Sequence, residues 1–347
     1  MTHGRRRFLK HTASLGTLAA AAATGACTTP AQPAAPAGPP TRTLGKGLAK
    51  GLTLLTFRSN GQDRLGVKTE RGVLDVAQAA TLLGLFAPAT MDDLLQNEDG
   101  PSLQAVIDAS LKTDAAKAAL RDEASLEYGP LVSRPEKIVC VGLNYRKHAA
   151  EIGAAVPQYP VLFNKFTPAL NRHKGTVKLP TDLATQFDYE AELVIVMGRT
   201  ASRVSEADAL KYVAGYCVAN DVSEREYQIE RGGTWDKGKG CDTFGPVGPW
   251  LVTADEVGDP QNLDMWLDLN GRRMQTGNTR TMIFTCAQIV SYVSRFMTLM
   301  PGDIITTGTP PGVGMGMKPQ RFLKPGDRMR IGIDGLGEQN QRVVRDR

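Results

Sequence analysis

Short runs that alternate apolar and polar positions dominate this chain, and long amphipathic stripes are few. Leu52-Thr53-Leu54-Leu55-Thr56-Phe57 and Gly61-Gln62-Asp63-Arg64-Leu65-Gly66-Val67 predict two strands joined by a turn, and Gly72 to Val76 continues the meander. From about residue 91 to 124 the pattern turns helical, with Leu94, Leu95, Val106, Ile107, Leu111 and Leu120 as apolar positions. Further strands are expected over 161–166, 187–197, 216–219, 250–253, 265–269, 303–307 and 328–333, with a hairpin turn at Asn270-Gly271. Helices are expected over 205–213, 224–231 and 285–299, the last with Ile289, Val290, Val293, Phe296 and Met297 at helical spacing. The elements predict an α+β protein, mostly β. A small N-terminal α+β unit covers 51–130 and a β-rich body covers 135–345.

Composition agrees with a β-rich fold. The chain of 347 residues carries 36 Gly and 21 Pro, enough for many turns, and its 41% hydrophobic content supports a real core. The net charge of +5 is concentrated at the start. Arg5, Arg6, Arg7 and Lys10 lie in the first 27 residues, and the remainder holds 37 basic against 36 acidic residues. The body has no basic block, so nucleic-acid binding is unsupported.

Residues 1–27 resemble a targeting segment. Gly4-Arg5-Arg6-Arg7-Phe8-Leu9-Lys10 is similar to a twin-arginine export motif, and the mildly apolar run Thr12 to Ala23 is too short to span a membrane. Gly25-Ala26-Cys27 resembles the end of a bacterial lipobox, although Thr24 stands where Leu is usual. The expectation is export by the twin-arginine route to the periplasm, with a lipid anchor at Cys27. The Pro/Ala-rich stretch 28–50 would then be a tether. Cys140, Cys217, Cys241 and Cys286 are widely spaced without a CxxC and read as free thiols.

Five segments carry candidate chemistry. In Phe187 to Met197, read as one strand, Asp188, Glu190 and Glu192 share a face. Crowded carboxylates invite a hard cation such as Mg²⁺, the other reading of this segment being a solvated strand edge with alternating charges. Asp221, after the apolar run Tyr216 to Ala219, is a third candidate ligand, or simply a helix cap. Trp235 to Pro246 is a Gly/Lys-rich loop that could face an anion. His148 and Glu151 stand one helical turn apart, the arrangement that makes imidazole a better base, though a surface pair would look the same. Leu299 to Gly314 runs from a strand into a loop of glycines, prolines and hydroxyls suited to holding a carboxylate.

Taken in order, Gly142-Leu143-Asn144-Tyr145-Arg146-Lys147-His148, Asp188-Tyr189-Glu190-Ala191-Glu192-Leu193, Ala219-Asn220-Asp221-Val222-Ser223, Lys239-Gly240-Cys241-Asp242-Thr243-Phe244-Gly245-Pro246 and Pro301-Gly302-Asp303-Ile304-Ile305-Thr306-Thr307-Gly308-Thr309-Pro310 resemble the fumarylacetoacetate hydrolase family. The match covers about 137–345. The resemblance implies a mixed β-roll, a homodimer, and Glu190, Glu192 and Asp221 as ligands of Mg²⁺ or Mn²⁺, with Asp188 outside the ligand set. It implies Lys239 at the developing oxyanion, Thr309 at a substrate carboxylate, and His148 with Glu151 as a water-activating dyad on a mobile lid. Arg225, Gln228 and Thr243 would line the pocket. Ser223 to Gly238 is similar to a subgroup that includes hydrolases of 2,4-diketo-3-deoxy sugar acids, although Gly240-Cys241 replaces the Ser-Phe of many relatives. The implied reaction is hydrolysis of a C–C bond in a small 2,4-dioxo acid, giving pyruvate and a carboxylic acid. The alternative is an oxo-acid isomerase, tautomerase or decarboxylase with the same metal-enolate site.

Overall fold

The computed structural model describes residues 44–346. The twin-arginine-like segment and Cys27 lie outside the described residues. Strands dominate, as the periodicity predicts. One large mixed sheet runs, from edge to edge, through Leu120–Arg121, Gly72–Asp75, Gln62–Thr69, Thr53–Ser59, Leu251–Thr253, Val213–Asn220, Ala191–Met197, Ile304–Thr306, Ile138–Gly142 and Val161–Lys165. A second sheet orders Arg272–Asn278, Asp264–Leu269, Arg328–Ile333, Gly337–Arg345 and Thr176–Leu179.

Ala191–Met197 is fully buried on both faces, which is why it reads as an uninterrupted apolar run. Leu193, Ile195 and Met197 face a core shared with Met265, Leu267, Met329 and Ile331 of the second sheet. Val194 and Val196 face the opposite core, shared with Leu54, Leu65, Leu103 and Val106 of the N-terminal segment. That period of two lets one strand seal two cores. The sequence division near residue 130 is no break in the sheet: Thr53–Ser59 pairs with Leu251–Thr253, and the described residues form one compact unit.

The helical reading of 91–124 resolves into Met91–Asn97, capped by Thr90, and Gly100–Lys112, followed by a short 3-10 turn and an edge strand at Leu120–Arg121. A helix that the periodicity missed, Val76–Leu83, begins where the Asp75 carboxylate caps the Gln78 amide. The hairpin at Asn270-Gly271 is present, both residues having positive φ. Thr285 and Gln288 form a capping box that starts the helix Cys286–Phe296. Among the described residues no helix is long and apolar enough to cross a membrane. Cys140, Cys217 and Cys286 are buried free thiols, and Cys241 is a half-buried one.

One expectation fails where it matters. Residues 187–197 are not a single strand. Phe187–Asp188 pairs with Ser223–Glu224 in a two-stranded ribbon, and the main strand starts at Ala191. Side chains from other elements take the backbone bonds at the break. The Glu190 amide donates to Asn220 Oδ1 (3.0 Å) and the Ala191 amide to Gln275 Oε1 (2.9 Å). Asp188 is therefore aimed away from the main-strand register.

Candidate active site

Glu190 stands at the break, Glu192 inside the main strand, and Asp221 just beyond the end of the adjacent strand Val213–Asn220. The Asp221 amide donates to the Glu190 carbonyl (2.9 Å), which locks the two acids together. Carboxylate oxygens of Glu190, Glu192 and Asp221 lie within 4.8 Å of one another, and all three residues are buried.

Cations surround two of these acids and leave the third. Lys239 Nζ is 2.7 Å from Glu190 Oε2 and 2.8 Å from Asp221 Oδ2. Lys165 Nζ is 2.7 Å from Asp221 Oδ1 and donates to the Val222 carbonyl (2.9 Å) and to that of Lys239. Arg225 bridges Glu190 Oε1 (2.7 Å) and Asp188 Oδ2 (2.9 Å). Glu192 has no ion-pair partner among the described residues and accepts one bond, from the Gly308 amide (2.8 Å).

The charge states follow from this. Burial works to raise the Glu190 carboxyl, but Lys239 and Arg225 overcome it and hold the group well below the usual range. Burial raises Glu192, and the Asp221 and Glu190 carboxylates raise it further. A buried carboxylate beside two others and without a counter-ion is what a divalent cation would satisfy. The donors are all hard oxygens, so the residues fit Mg²⁺ or Mn²⁺ and not a thiolate-seeking metal.

Asp188, by contrast, is fully engaged. It binds Arg225 and accepts from the Gly314 (2.7 Å) and Met315 (2.9 Å) amides, pinning the Gly/Pro-rich loop beside the site.

His148 and Glu151 lie on the short helix Arg146–Glu151. Asn144 anchors its start: the side-chain amide donates to the carbonyls of Thr307 (2.8 Å) and Phe284 (3.1 Å). Leu143 before it has φ of 55°, a left-handed turn that swings the helix over the sheet. His148 Nδ1 is 2.8 Å from Glu151 Oε1, and Glu151 Oε2 accepts from the Gly312 amide (2.8 Å). An ionised carboxylate only accepts, so Nδ1 carries the proton and Nε2 is left as a base. His148, Glu190, Glu192, Arg225, Lys239 and Thr309 line one cleft.

The remaining candidates divide. Gln228 lines the cleft and accepts from Arg225 Nη1 (3.0 Å). The Thr309 hydroxyl donates to the Ala191 carbonyl (2.9 Å) and accepts from Gln275 Nε2 (2.8 Å), so it holds the loop to the strand. Thr243 is not brought to the cleft. Its hydroxyl accepts from the Lys178 amide (2.9 Å), because the chain turns there through a positive φ of 68° to bury Phe244.

Sequence reasoning missed Lys165, Phe163 and the supporting Asn220 and Gln275. A signal for Lys165 existed: the alternation Val161, Phe163, Lys165 puts a lysine on the inward face of a strand, where only a buried acid accounts for it.

The sequence model described as fumarylacetoacetate (FAA) hydrolase C-terminal matches residues 137–344. A Burkholderia ambifaria protein described only as a hydrolase is 50% identical over 84% of this chain and 98% of its own length. Maleylpyruvate hydrolase from Sphingobium sp. SYK-6, solved with manganese(II) and pyruvate, is 33% identical with a TM-score of 0.68, covering 85% of this chain and all of that one. A 2-hydroxyhepta-2,4-diene-1,7-dioate isomerase from Mycobacterium marinum is 29% identical with a TM-score of 0.64, covering 85% of this chain and 99% of its own. The strand-dominated fold, the five motif segments and these matches lead to one assignment: the chain belongs to the fumarylacetoacetate hydrolase family.

Proposed function

We propose that this protein hydrolyses a C–C bond in a 2,4-dioxo acid, an acylpyruvate or a 2,4-diketo-3-deoxy sugar acid, and releases pyruvate and a second carboxylic acid. The observation that carries the reading is the His148–Glu151 dyad, whose imidazole lines the same cleft as Glu190 and Glu192. The manganese and pyruvate of the Sphingobium relative support it. Glu190, Glu192 and Asp221 would hold Mg²⁺ or Mn²⁺. When bound, the ion would supply a Lewis-acid centre for the 1-carboxylate and 2-oxo oxygens.

The chain's own residues do the rest. His148 Nε2 takes a proton from water while Glu151 stabilises the resulting imidazolium. The water oxygen bonds to C4, and the C3–C4 bond breaks with its electron pair passing to C3 as the enolate of pyruvate. An ammonium has three donors, and Lys239 spends two on Glu190 and Asp221. The third is free to stabilise the negative charge on O2. Protonation at C3 gives pyruvate, and the C4 fragment leaves as its acid.

A second reading, isomerisation, tautomerisation or decarboxylation of an oxo acid, draws on the Mycobacterium marinum relative and needs no activated water. Product analysis separates the two. Incubation of a 2,4-dioxo acid panel with Mg²⁺ or Mn²⁺ yields pyruvate under the first reading and an isomer or carbon dioxide under the second.

The proposal also includes a homodimer, checked by sedimentation, and export with lipidation at Cys27. Accumulation of a larger precursor under globomycin supports the anchor, and unchanged processing removes it.

A further inference from the structure

The cleft has two unlike ends. Its floor is polar, and there Lys239 and Arg225 are fastened to carboxylates. Among the described residues that line the cleft, these two are the only lysine or arginine side chains. Arg225 is 2% exposed and consumed by Asp188, Glu190 and Gln228. Neither can swing outward without stranding a buried acid.

The outer walls are apolar, formed by Phe163, Trp235, Ile229 and Ile152. The aromatic part of this wall is held rigidly. The Phe163 and Trp235 rings pack with centroids 5.3 Å apart. Trp235 lies against Gly142, where a Cβ would come within 2.2 Å of the indole, so glycine is what lets the indole sit there. Lys239 Nζ is 5.1 Å from the Phe163 ring centroid, so the aromatic wall begins where the charged floor ends. Ile229 is 54% exposed at the mouth. An exposed isoleucine beside a half-buried tryptophan gives an acyl group somewhere to lie.

We propose that this cleft selects a 2,4-dioxo acid whose acyl group is neutral and apolar, alkyl or aryl, over one that carries a second carboxylate or a row of hydroxyls. The inference rests on the hydrolase reading above, which places the carboxylate and 2-oxo end on the acidic floor. C4 then faces His148, and the acyl substituent points along Phe163, Trp235 and Ile229. A second carboxylate would lose its water there and gain no cation. A polyhydroxylated tail would meet Gln228 as its one side-chain amide and, along the rest of that wall, the apolar carbon of Phe163, Trp235, Ile229 and Ile152. Rejection of the charged tail is expected to be at least about 100-fold, since an unpaired ion is the costliest group to bury. Rejection of a hydroxylated tail is expected to be about 10- to 100-fold, because an apolar wall discriminates weakly against hydroxyls.

The test compares 4-phenyl-2,4-dioxobutanoate with 2,4-dioxoheptanedioate as substrates, in the full protein with Mg²⁺. In parallel, calorimetry compares binding of phenylpyruvate with binding of 2-oxoglutarate. The expected result is a kcat/KM for the phenyl substrate at least about 100-fold above the diacid, and tighter binding of phenylpyruvate. Ile229→Arg, which adds a cation at the exposed mouth, is expected to narrow both ratios by about 10-fold, the worth of one hydrogen bond to a charged group. An unchanged ratio in a folded variant counts against the wall as the selector. Equal or better turnover and binding of the diacid in the wild type overturns the inference. If neither dioxo acid is cleaved but phenylpyruvate still binds preferentially, the hydrolase reading falls and the apolar selectivity stands.

Discussion

Glu192→Gln should stabilise the metal-free protein while weakening its response to metal, a pairing of effects that few substitutions at a buried acid would give. The new side chain would keep an oxygen to accept from the Gly308 amide and would place an amide donor beside Glu190 and Asp221. In the wild type, burial first, then Asp221 and Glu190, push the Glu192 carboxyl well above its ordinary value. The folded protein therefore holds this proton more tightly than the unfolded chain. Stability of the metal-free wild type must fall as pH rises from about 4.3 towards the folded value. Each pH unit over which the folded protein keeps that proton while the unfolded chain loses it costs about 1.4 kcal/mol. A glutamine carries no such cost, so chelator-treated Glu192→Gln should melt several degrees higher at pH 7–8 and show a flatter pH slope. Saturating Mg²⁺ stabilises a protein by about 2.7 kcal/mol at a hundred times Kd, and the variant should lose most of that gain. Thermal melts from pH 5 to 8, with chelator and with Mg²⁺, read all three effects. A chelator-treated variant that melts below the wild type throughout this range would refute the electrostatic reasoning.

Further tests address other parts of the site and the scaffold. His148→Ala should lower kcat for pyruvate release by about 10²- to 10⁴-fold with Mg²⁺ affinity by calorimetry nearly unchanged, and retained turnover would remove the dyad. Lys165→Met should lower stability by about 3–5 kcal/mol in urea unfolding, because it strands Oδ1 of the buried Asp221 and two backbone carbonyls. A loss below about 1 kcal/mol would show that Lys239 alone suffices for Asp221. His173, buried against Tyr128, accepts from the Asn340 amide through Nδ1 and must stay neutral to do so. Burial, with Lys174 adding to it, pushes its imidazole down to about 4. The folded state therefore binds fewer protons than the unfolded chain between about pH 4 and 6.5. Stability should fall by up to about 3 kcal/mol as pH drops through that window, and His173→Gln should flatten the fall.

Glu190 with Glu192 and the His148–Glu151 dyad were legible because each pair depends on short-range spacing, whereas Asp221, from another strand end, joined them through the family motif. His148 and Glu151 need one helical turn, and Glu190 with Glu192 need two residues of extended chain. Asp188 shows the limit of that reasoning. Spacing alone placed it with the other two, but the strand breaks after it, since Asn220 and Gln275, 30 and 84 residues away, capture the backbone of Glu190 and Ala191. No local pattern encodes such contacts. Lys165 was obscured for a related reason: its partners Asp221 and Lys239 come from other elements, so its purpose emerges only when the sheet closes. Thr309 was found, yet its hydroxyl bridges Ala191 and Gln275, a scaffold role that a motif cannot distinguish from ligand contact. The helix Val76–Leu83 was hidden by its brevity and by Asp75, which reads as a strand end until its carboxylate is seen capping the turn.

The central claim is that the three acids and the His148 dyad act together to cleave a C–C bond with water. The direct measurement is the product balance from a 2,4-dioxo acid incubated with chelator-treated protein, before and after Mg²⁺ or Mn²⁺ is restored. The account predicts no turnover before addition, and equal amounts of pyruvate and the second carboxylic acid afterwards. Metal-dependent consumption of the substrate without pyruvate, giving an isomer or carbon dioxide in its place, would contradict it.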